Sequence, residues 1–340
     1  MNFSRKKIIL ISAISIVILF SFCIMAFTDL KGLTRNQLKE DMQTRQLINQ
    51  IGDARVRILY LASLAPSPHN TQPWKATILA KDTWIISTDT SRQMRATDPS
   101  GHRLMIAMGA FLENLSIAAA SEGYDAKITI IADSFTSRDI AEVTLTESKA
   151  RPYPITRITS RKTMKNGFLN KKISNEHLGK ISEPLQGHFF FFPSGTWHSD
   201  CIRKGAVNSF QAWLDSDRAQ EEHVAWLRMS NSLAEKKRDG LTTDGMEIKG
   251  VLGWFIRTFM SEQSWAGPFM KEESMKFTRK TSHEGAGYAI ITGYGNDVTG
   301  MIETGRRFER MALLARDYNI GIQPMTQILE MKSGNDLVAS

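Results

Sequence analysis

The chain of 340 residues is short of sulfur: it has two cysteines, Cys23 and Cys201, and only Cys201 lies outside a long apolar run. One thiol there leaves no partner for an intrachain disulfide and no cysteine cluster for a metal. Also missing are an H-E-x-x-H pair and a G-x-S-x-G elbow, so metalloenzyme and hydrolase readings have no motif to stand on. Gly285-x-Gly287 and Gly293-x-Gly295 each lack a third glycine, and neither joins a strand to a helix start. A Rossmann site is therefore disfavoured. Those glycines read instead as the ends and beginnings of strands. Zinc-finger spacing and an aromatic RNP-like motif are absent too, and nucleic acid is not expected as a partner.

Charge is present but not concentrated. The net charge of +8 and pI near 9.4 come from basic residues spread along the sequence. Such a balance allows an anionic cofactor, an acidic membrane surface or nucleic acid, and selects none of them. Lys236 to Arg238 reads as a solvated helix end. Glu221, Glu222 and His223 have no second ligand group at a suitable spacing, so exposed helix charges account for them better than a metal.

Ile8 to Phe27 carries no charge and follows Arg5, Lys6 and Lys7. As a helix it would span about 30 Å, the thickness of a bilayer's hydrocarbon. A cleaved signal peptide is the competing reading, but Ile24 is bulky close to Ala26 and the run is long for an h-region. An uncleaved membrane anchor is expected, with the soluble part on the extracytoplasmic side. Phe20-Ser21-Phe22 before Cys23 fits a lipobox poorly.

The stretch that carries chemistry is Leu64 to Trp74, L-A-P-S-P-H-N-T-Q-P-W. Pro66, Pro68 and Pro73 fix their own φ and disfavour helix at the residues before them, which makes a stiff, turning loop. Ser67, His69, Asn70, Thr71 and Gln72 load that loop with donors and acceptors beside Trp74. Such a surface suits a planar ligand rich in heteroatoms. The plainer reading is an ordinary helix-to-strand connection.

Around the loop, helical spacing of Val56, Leu59, Tyr60 and Ser63 predicts a helix from Asp53, stopped by Pro66. Strands are expected over Trp74 to Leu79, Trp84 to Thr88, Ala126 to Ile131 and Ile140 to Thr146. Arg103 to Ala120 is apolar on nearly all sides and reads as a buried helix. Arg151-Pro152-Tyr153-Pro154 breaks regular structure. Beyond it, His188 to Phe192 reads as a strand, and Trp197 to Asp215 and Asp217 to Lys237 as helices. A weak repeat links Gly109-x-x-x-Glu113 with Gly305-x-x-x-Glu309, each inside a long helix that ends near a tyrosine.

The A-P-S-x-H-N-T-Q-P-W string resembles the FMN-binding loop of nitroreductase-fold flavoproteins, most of all the Acg-like branch, in which two nitroreductase-like halves are fused. The likeness runs from about Ala54 to Glu330. Arg161-Lys-Thr163-Met-Lys165 resembles that family's R-x-[ST]-x-R phosphate element, with lysine where arginine is usual. Asn319-Ile-Gly321 resembles the turn whose backbone approaches the flavin ring, and Ala225 to Ser230 with Asp239-Gly240-Leu241 also matches the Acg-like branch. The resemblance implies an α+β fold, a pseudo-dimeric duplication with antiparallel-rich sheets and long buried helices, to which the apolar run adds an N-terminal transmembrane helix. Together they divide the chain into an anchor (1–28), a juxtamembrane linker (29–52), a first half (53–150), a second half (151–330) with a lid insertion at about 242–281, and a tail (331–340).

By the same resemblance, Ser67, His69, Asn70 and Gln72 would bond the ribityl chain and pyrimidine edge of FMN. Arg161, Thr163 and Lys165 would hold its phosphate through charge-assisted hydrogen bonds, and Gly321 would admit the ring. No protein nucleophile is implied, since the flavin carries the chemistry. NAD(P)H is the implied donor, and a nitroaromatic or quinone-like small molecule the acceptor. The alternative is a protein that stores or sequesters FMN beneath a lid, and a third reading is an envelope interaction module with a degenerate pocket. The family's final P-Q strand and arginine-rich end are not seen before Ser340, so either the sequence is truncated or phosphate binding rests more on Arg161 and Lys165. The oligomeric state is left open, beyond a pseudo-dimer within one chain.

Overall fold

Residues 42–330 are described here from a computed structural model. The anchor expected over Ile8 to Phe27, most of the linker and the tail lie outside the described residues.

The chain opens with α1 (Met42–Ile51) and α2 (Asp53–Ala62). Helix α1 falls in the stretch read as linker, yet Ile51 at its end is fully buried. After the proline-rich loop come β1 (Trp74–Ala80), β2 (Thr83–Thr88), α3 (His102–Ser121), β3 (Tyr124–Ile130) and β4 (Asp139–Glu147). The four strands form an antiparallel sheet in the order β1-β2-β4-β3. Burial alternates along β1 and β3, as it must when one face packs and the other is wet. Trp84, Ile86, Ile140, Val143 and Leu145 pack against α2 and α3 to make the main core.

The second part contains α4 (Thr156–Ser160), α5 (Asn175–Ser182), β5 (Phe189–Pro193), α6 (Trp197–Asp215), α7 (Asp217–Ala225), β6 (Leu227–Arg228), α8 (Asn231–Lys237) and β7 (Leu241–Thr242). It ends with α9 (Gly250–Phe259), α10 (Glu262–Trp265), α11 (Pro268–Thr281), β8 (Gly287–Ile291), α12 (Val298–Ala315) and α13 (Gln327–Glu330). β5 pairs antiparallel with β8, and β6 pairs parallel with β7. This mixture of helices with a mainly antiparallel sheet fits an α+β, nitroreductase-like fold.

The single helix expected over Asp217 to Lys237 is broken. It stops at Trp226, and Ser230 restarts it by accepting a hydrogen bond from Leu233 N. Between them, Arg228 is buried because its guanidinium is held by the Asp239 carboxylate and the carbonyls of Ala225 and Leu227. That network outweighs helix propensity in the intervening turn.

Helix α3 is the one described helix long and apolar enough to cross a membrane, but it is mostly buried within the protein. Its partner is α12, and the two approach through the repeated glycines. A Cβ on Gly109 would stand 2.0 Å from Ile302 O, and one on Gly305 would stand 2.0 Å from Ile106 O. Each glycine thus meets the residue three before the other, an isologous contact within one chain. The glutamates of the repeat are buried beside it. Glu113 takes Arg306 and Arg310, and Glu309 lies 3.4 Å from Arg161 Nε.

Candidate functional site

The loop after α2 is more strained than a plain extended connection. His69, Asn70 and Gln72 all have φ near +50°, the left-handed region that residues other than glycine seldom occupy. Such strain persists only where surrounding bonds over-determine it. Gln72 N donates to Ser67 Oγ (2.9 Å), Thr71 N to Pro68 O (3.0 Å), and Arg92 Nη1 to Thr71 O (2.8 Å).

The loop is also clamped by the second half. Asn70 O accepts from Gly240 N at 3.0 Å while Asn70 Nδ2 donates to Gly240 O at 3.1 Å, and Gln72 Nε2 donates to Arg238 O at 2.8 Å. Gly240 has φ +76°, and a Cβ there would meet Trp226 O at 2.4 Å, so no other residue keeps this contact. Arg92 and Arg228 share the Asp239 carboxylate beneath it. The Asp239-Gly240-Leu241 segment is therefore the seat of the loop.

His69 points at a residue the sequence reading set aside. Its Nε2 lies 2.8 Å from His223 Nδ1, with Trp213 packed against both rings. His223 is buried, which corrects the expectation of an exposed helix charge. Its neighbour Glu222 is likewise engaged, accepting from Ala96 N, Thr97 N and Thr97 Oγ1. Glu221 is exposed as expected. Burial pushes the His69 imidazole well below its ordinary value, with the charges of His223, Arg103 and Lys165 adding to the effect. Burial, with Lys165 behind it, lowers His223 to about 4. Both rings are neutral at pH 7.

Two cations stand near this pair. Arg103, in the first turn of α3, donates through Nη2 to Thr97 O, while its buried Nε has no hydrogen-bond partner among the described residues. Lys165 is desolvated, which lowers its pKa, against the opposing charge of Glu247. That carboxylate spends its bonds on the backbone N–H groups of Lys165 and Asn166 and on Lys162 Nζ. The cluster of Arg103, Lys165 and two uncharged imidazoles is thus rich in donors, while the nearby carboxylates of Asp98, Glu222 and Glu247 are engaged by backbone N–H groups.

The remaining expected residues divide. Arg161 Nη2 donates to Leu64 O at 3.1 Å, where the loop begins, so the basic strip does reach the loop. Arg161 is at the same time committed to Glu309. Thr163 and Arg161 line a small cleft with Lys162, Arg316 and the apolar Phe308 and Ile322, on the α12 side of the strip. Gly321 sits against the strip itself: a Cβ would lie 2.1 Å from Met164 Sδ, and Met164 N donates to Ile322 O. Ser67, His69, Asn70 and Gln72 lie on the loop with Lys165 near His69, while Thr163 lines the cleft beside α12 and Gly321 packs on Met164. Arg103 and His223 were missed because nothing in an apolar helix or an E-E-H string marks them. Arg103 alone has a local signal, a charge inside a helix that reads as buried.

No family model matches the chain. Over 76 residues it is 38% identical to "Putative NAD(P)H nitroreductase Rv3131" of Mycobacterium tuberculosis (strain ATCC 25618 / H37Rv), covering 22% of each protein. Part of this chain is thus similar to a protein named as a nitroreductase. A second relative from the same strain, "Putative NAD(P)H nitroreductase acg", is 39% identical over 69 residues and 20% of each chain. "Uncharacterized protein Rv3127" is 39% identical over 72 residues. The chain thus spans about a fifth of the length of the curated relatives it matches. At that coarse level the nitroreductase-like stretch relates it to oxidoreductases named for NAD(P)H.

Proposed function

We propose that this chain is an FMN-dependent, nitroreductase-like oxidoreductase that takes electrons or hydride from NAD(P)H and passes them to a nitroaromatic or quinone-like acceptor. The observation that carries the reading is the meeting of the polar loop with the basic strip. Arg161 donates to the root of the loop, and Lys165 lies close enough to depress the basicity of His69 and His223.

The donor set fits an anionic, heteroatom-rich group. Arg103 Nε is buried and unpartnered, and an unmet donor there costs about 1–3 kcal/mol until something accepts from it. Lys165 supplies a second charge, and Ser67, Asn70 and Gln72 supply neutral donors and acceptors. These residues would hold FMN, and Arg161 would fix the loop that presents them. When bound, FMN supplies hydride or electron transfer. The neutral His69–His223 pair shares one hydrogen bond, which leaves one outer ring nitrogen of the pair as a donor and the other as an acceptor. The reciprocal Gly109 and Gly305 contacts support the fused two-half reading, with one cofactor per chain.

A second reading is favoured by the clamp. Asn70 and Gln72 are already bonded to Gly240 and Arg238, so the second half covers the loop. A flavin held beneath such a cover would be stored with little turnover. The test is to purify the full chain in detergent, supply FMN, remove excess, and add NAD(P)H without oxygen. An oxidoreductase is yellow and bleaches with NAD(P)H. A storage protein stays yellow until dithionite is added, and a protein with no flavin colour at all sinks both readings.

A further inference from the structure

Helix α9 has the composition of a buried helix and the position of a surface one. Of Gly250–Phe259, G-V-L-G-W-F-I-R-T-F, only Arg257 is charged. Its inner face, Gly253, Trp254 and Ile256, is buried, next to a cluster that includes Leu227 and Met229. Arg257 turns inward as well, donating to Thr243 Oγ1. What is left outside is a second apolar face: Val251 is 69% exposed, Leu252 62%, Phe255 48% and Phe259 55%. At 3.6 residues per turn these four fall within about a third of the helix circumference. Phe255 and Phe259 pack on each other along it, 5.2 Å between ring centroids. A helix apolar on all sides is normally enclosed by a core or a membrane.

The sequence says which apolar medium is near. Ile8 to Phe27 is an uncharged run of bilayer length, and only residues 28–41 separate it from Met42. Even fully extended, at about 3.3–3.6 Å per residue, that connection holds the domain within roughly 50 Å of a membrane in which the run is embedded. The charge of the chain, +8, favours a surface of anionic lipid, and Lys249 lies exposed immediately before the helix. Aromatic and aliphatic side chains on one face beside basic residues are the pattern of helices that lie in the lipid interface.

We propose that α9 docks on the bilayer, with Val251, Leu252, Phe255 and Phe259 inserted among the lipids, giving the anchored domain a second contact and a fixed orientation. This goes beyond the flavin reading and is independent of it, but it does rest on Ile8 to Phe27 being embedded.

The test uses the full chain reconstituted in vesicles of phosphatidylcholine and phosphatidylglycerol, with Cys23→Ser and Cys201→Ser removing the native thiols. A fluorophore is attached through Phe255→Cys, Phe259→Cys or, as a control on the exposed face of β3, Lys127→Cys. Docking predicts strong quenching by lipids spin-labelled in the acyl chain at positions 255 and 259, and several-fold less at 127. Replacing Val251 and Leu252 by serine should weaken the quenching at 255 while flotation with the vesicles is unchanged. Flotation with equal, weak quenching at all three positions overturns the docking and leaves the anchor standing. Failure to float overturns both. Intermolecular cross-linking through position 255 without lipid quenching would assign the face to a second copy. Shielding of 255 from iodide in detergent, again without lipid quenching in vesicles, would assign it to the chain's own apolar run.

Discussion

His69 and His223 meet across 2.8 Å in surroundings that resist protonation of either ring. An imidazole in the unfolded chain titrates near 6.5, whereas folded His223 does so at about 4. Between those values the unfolded state binds more protons. The stability contributed by neutral His223 is therefore complete above about pH 6.5 and is lost as pH falls towards 4. A displacement of that size is worth roughly 3 kcal/mol over the whole window. Urea unfolding from pH 7 down to pH 4 should show this slope, and His223→Gln should flatten it. An identical slope in the variant would place the titration elsewhere. A sequence cannot show this, because Glu221-Glu222-His223 looks alike whether the helix floats in solvent or lies across the loop.

Other single residues act through space rather than charge. Gly179, inside α5, has open space where a Cβ would go, and Gly109 does not. Gly179→Ala should stabilise by about 0.5–1 kcal/mol through backbone entropy. Gly109→Ala and Gly305→Ala should each destabilise by about 1–3 kcal/mol, because backbone oxygens of the opposing helix must move. Thermal melting of the three variants checks the contrast. Equal effects at all three would mean that α3 and α12 are not in close contact.

At the scale of elements, the strands of the four-stranded sheet and the helices α2, α3 and α6 follow from pattern. Trp74–Ala80, Thr83–Thr88 and Asp139–Glu147 form within a residue or two of the expected bounds, since alternating or β-branched runs bounded by turns have few other solutions. Trp197–Asp215 was expected with those very bounds, and Thr196 caps it by accepting from Ser199 N. Asp217 to Lys237 failed because a tertiary ion pair decided it. Asp239→Ala should leave buried Arg228 without its carboxylate, while Arg92 keeps Asp89, a loss of about 3–5 kcal/mol for breaking a buried pair. Chemical denaturation measures it, and a loss under 1 kcal/mol would show that β6 and β7 are held by something else. The same variant should free the loop at Asn70, since Gly240 follows Asp239 directly.

For the whole molecule, the relevant feature is that charge of one sign gathers from distant parts of the chain. Arg103 comes from the first half and Lys165 from the second, and burial lowers the Lys165 pKa against the opposing charge of Glu247. Lys165→Met should leave the melting temperature of the flavin-free protein unchanged or raise it, because a desolvated charge is removed. The same change should weaken FMN binding about tenfold or more, the equivalent of losing one charge-assisted hydrogen bond. Titration of apoprotein with FMN, followed by fluorescence quenching, reads the second effect. Equal FMN affinity in the variant would remove Lys165 from the site.

The proline-stiffened loop, its polar content and the elements around it were determined by the sequence itself, because proline geometry and hydrophobic period act over a few residues. The glycines of the repeat were legible in the same way, as a spacing. Which groups the loop faces was decided only in three dimensions. Arg161 turned to Leu64 and Glu309, His223 was laid against His69, and Arg103 was left with a buried donor unmet. Charge state and hydrogen bonding depend on burial and on partners far away along the chain, and no local pattern encodes them.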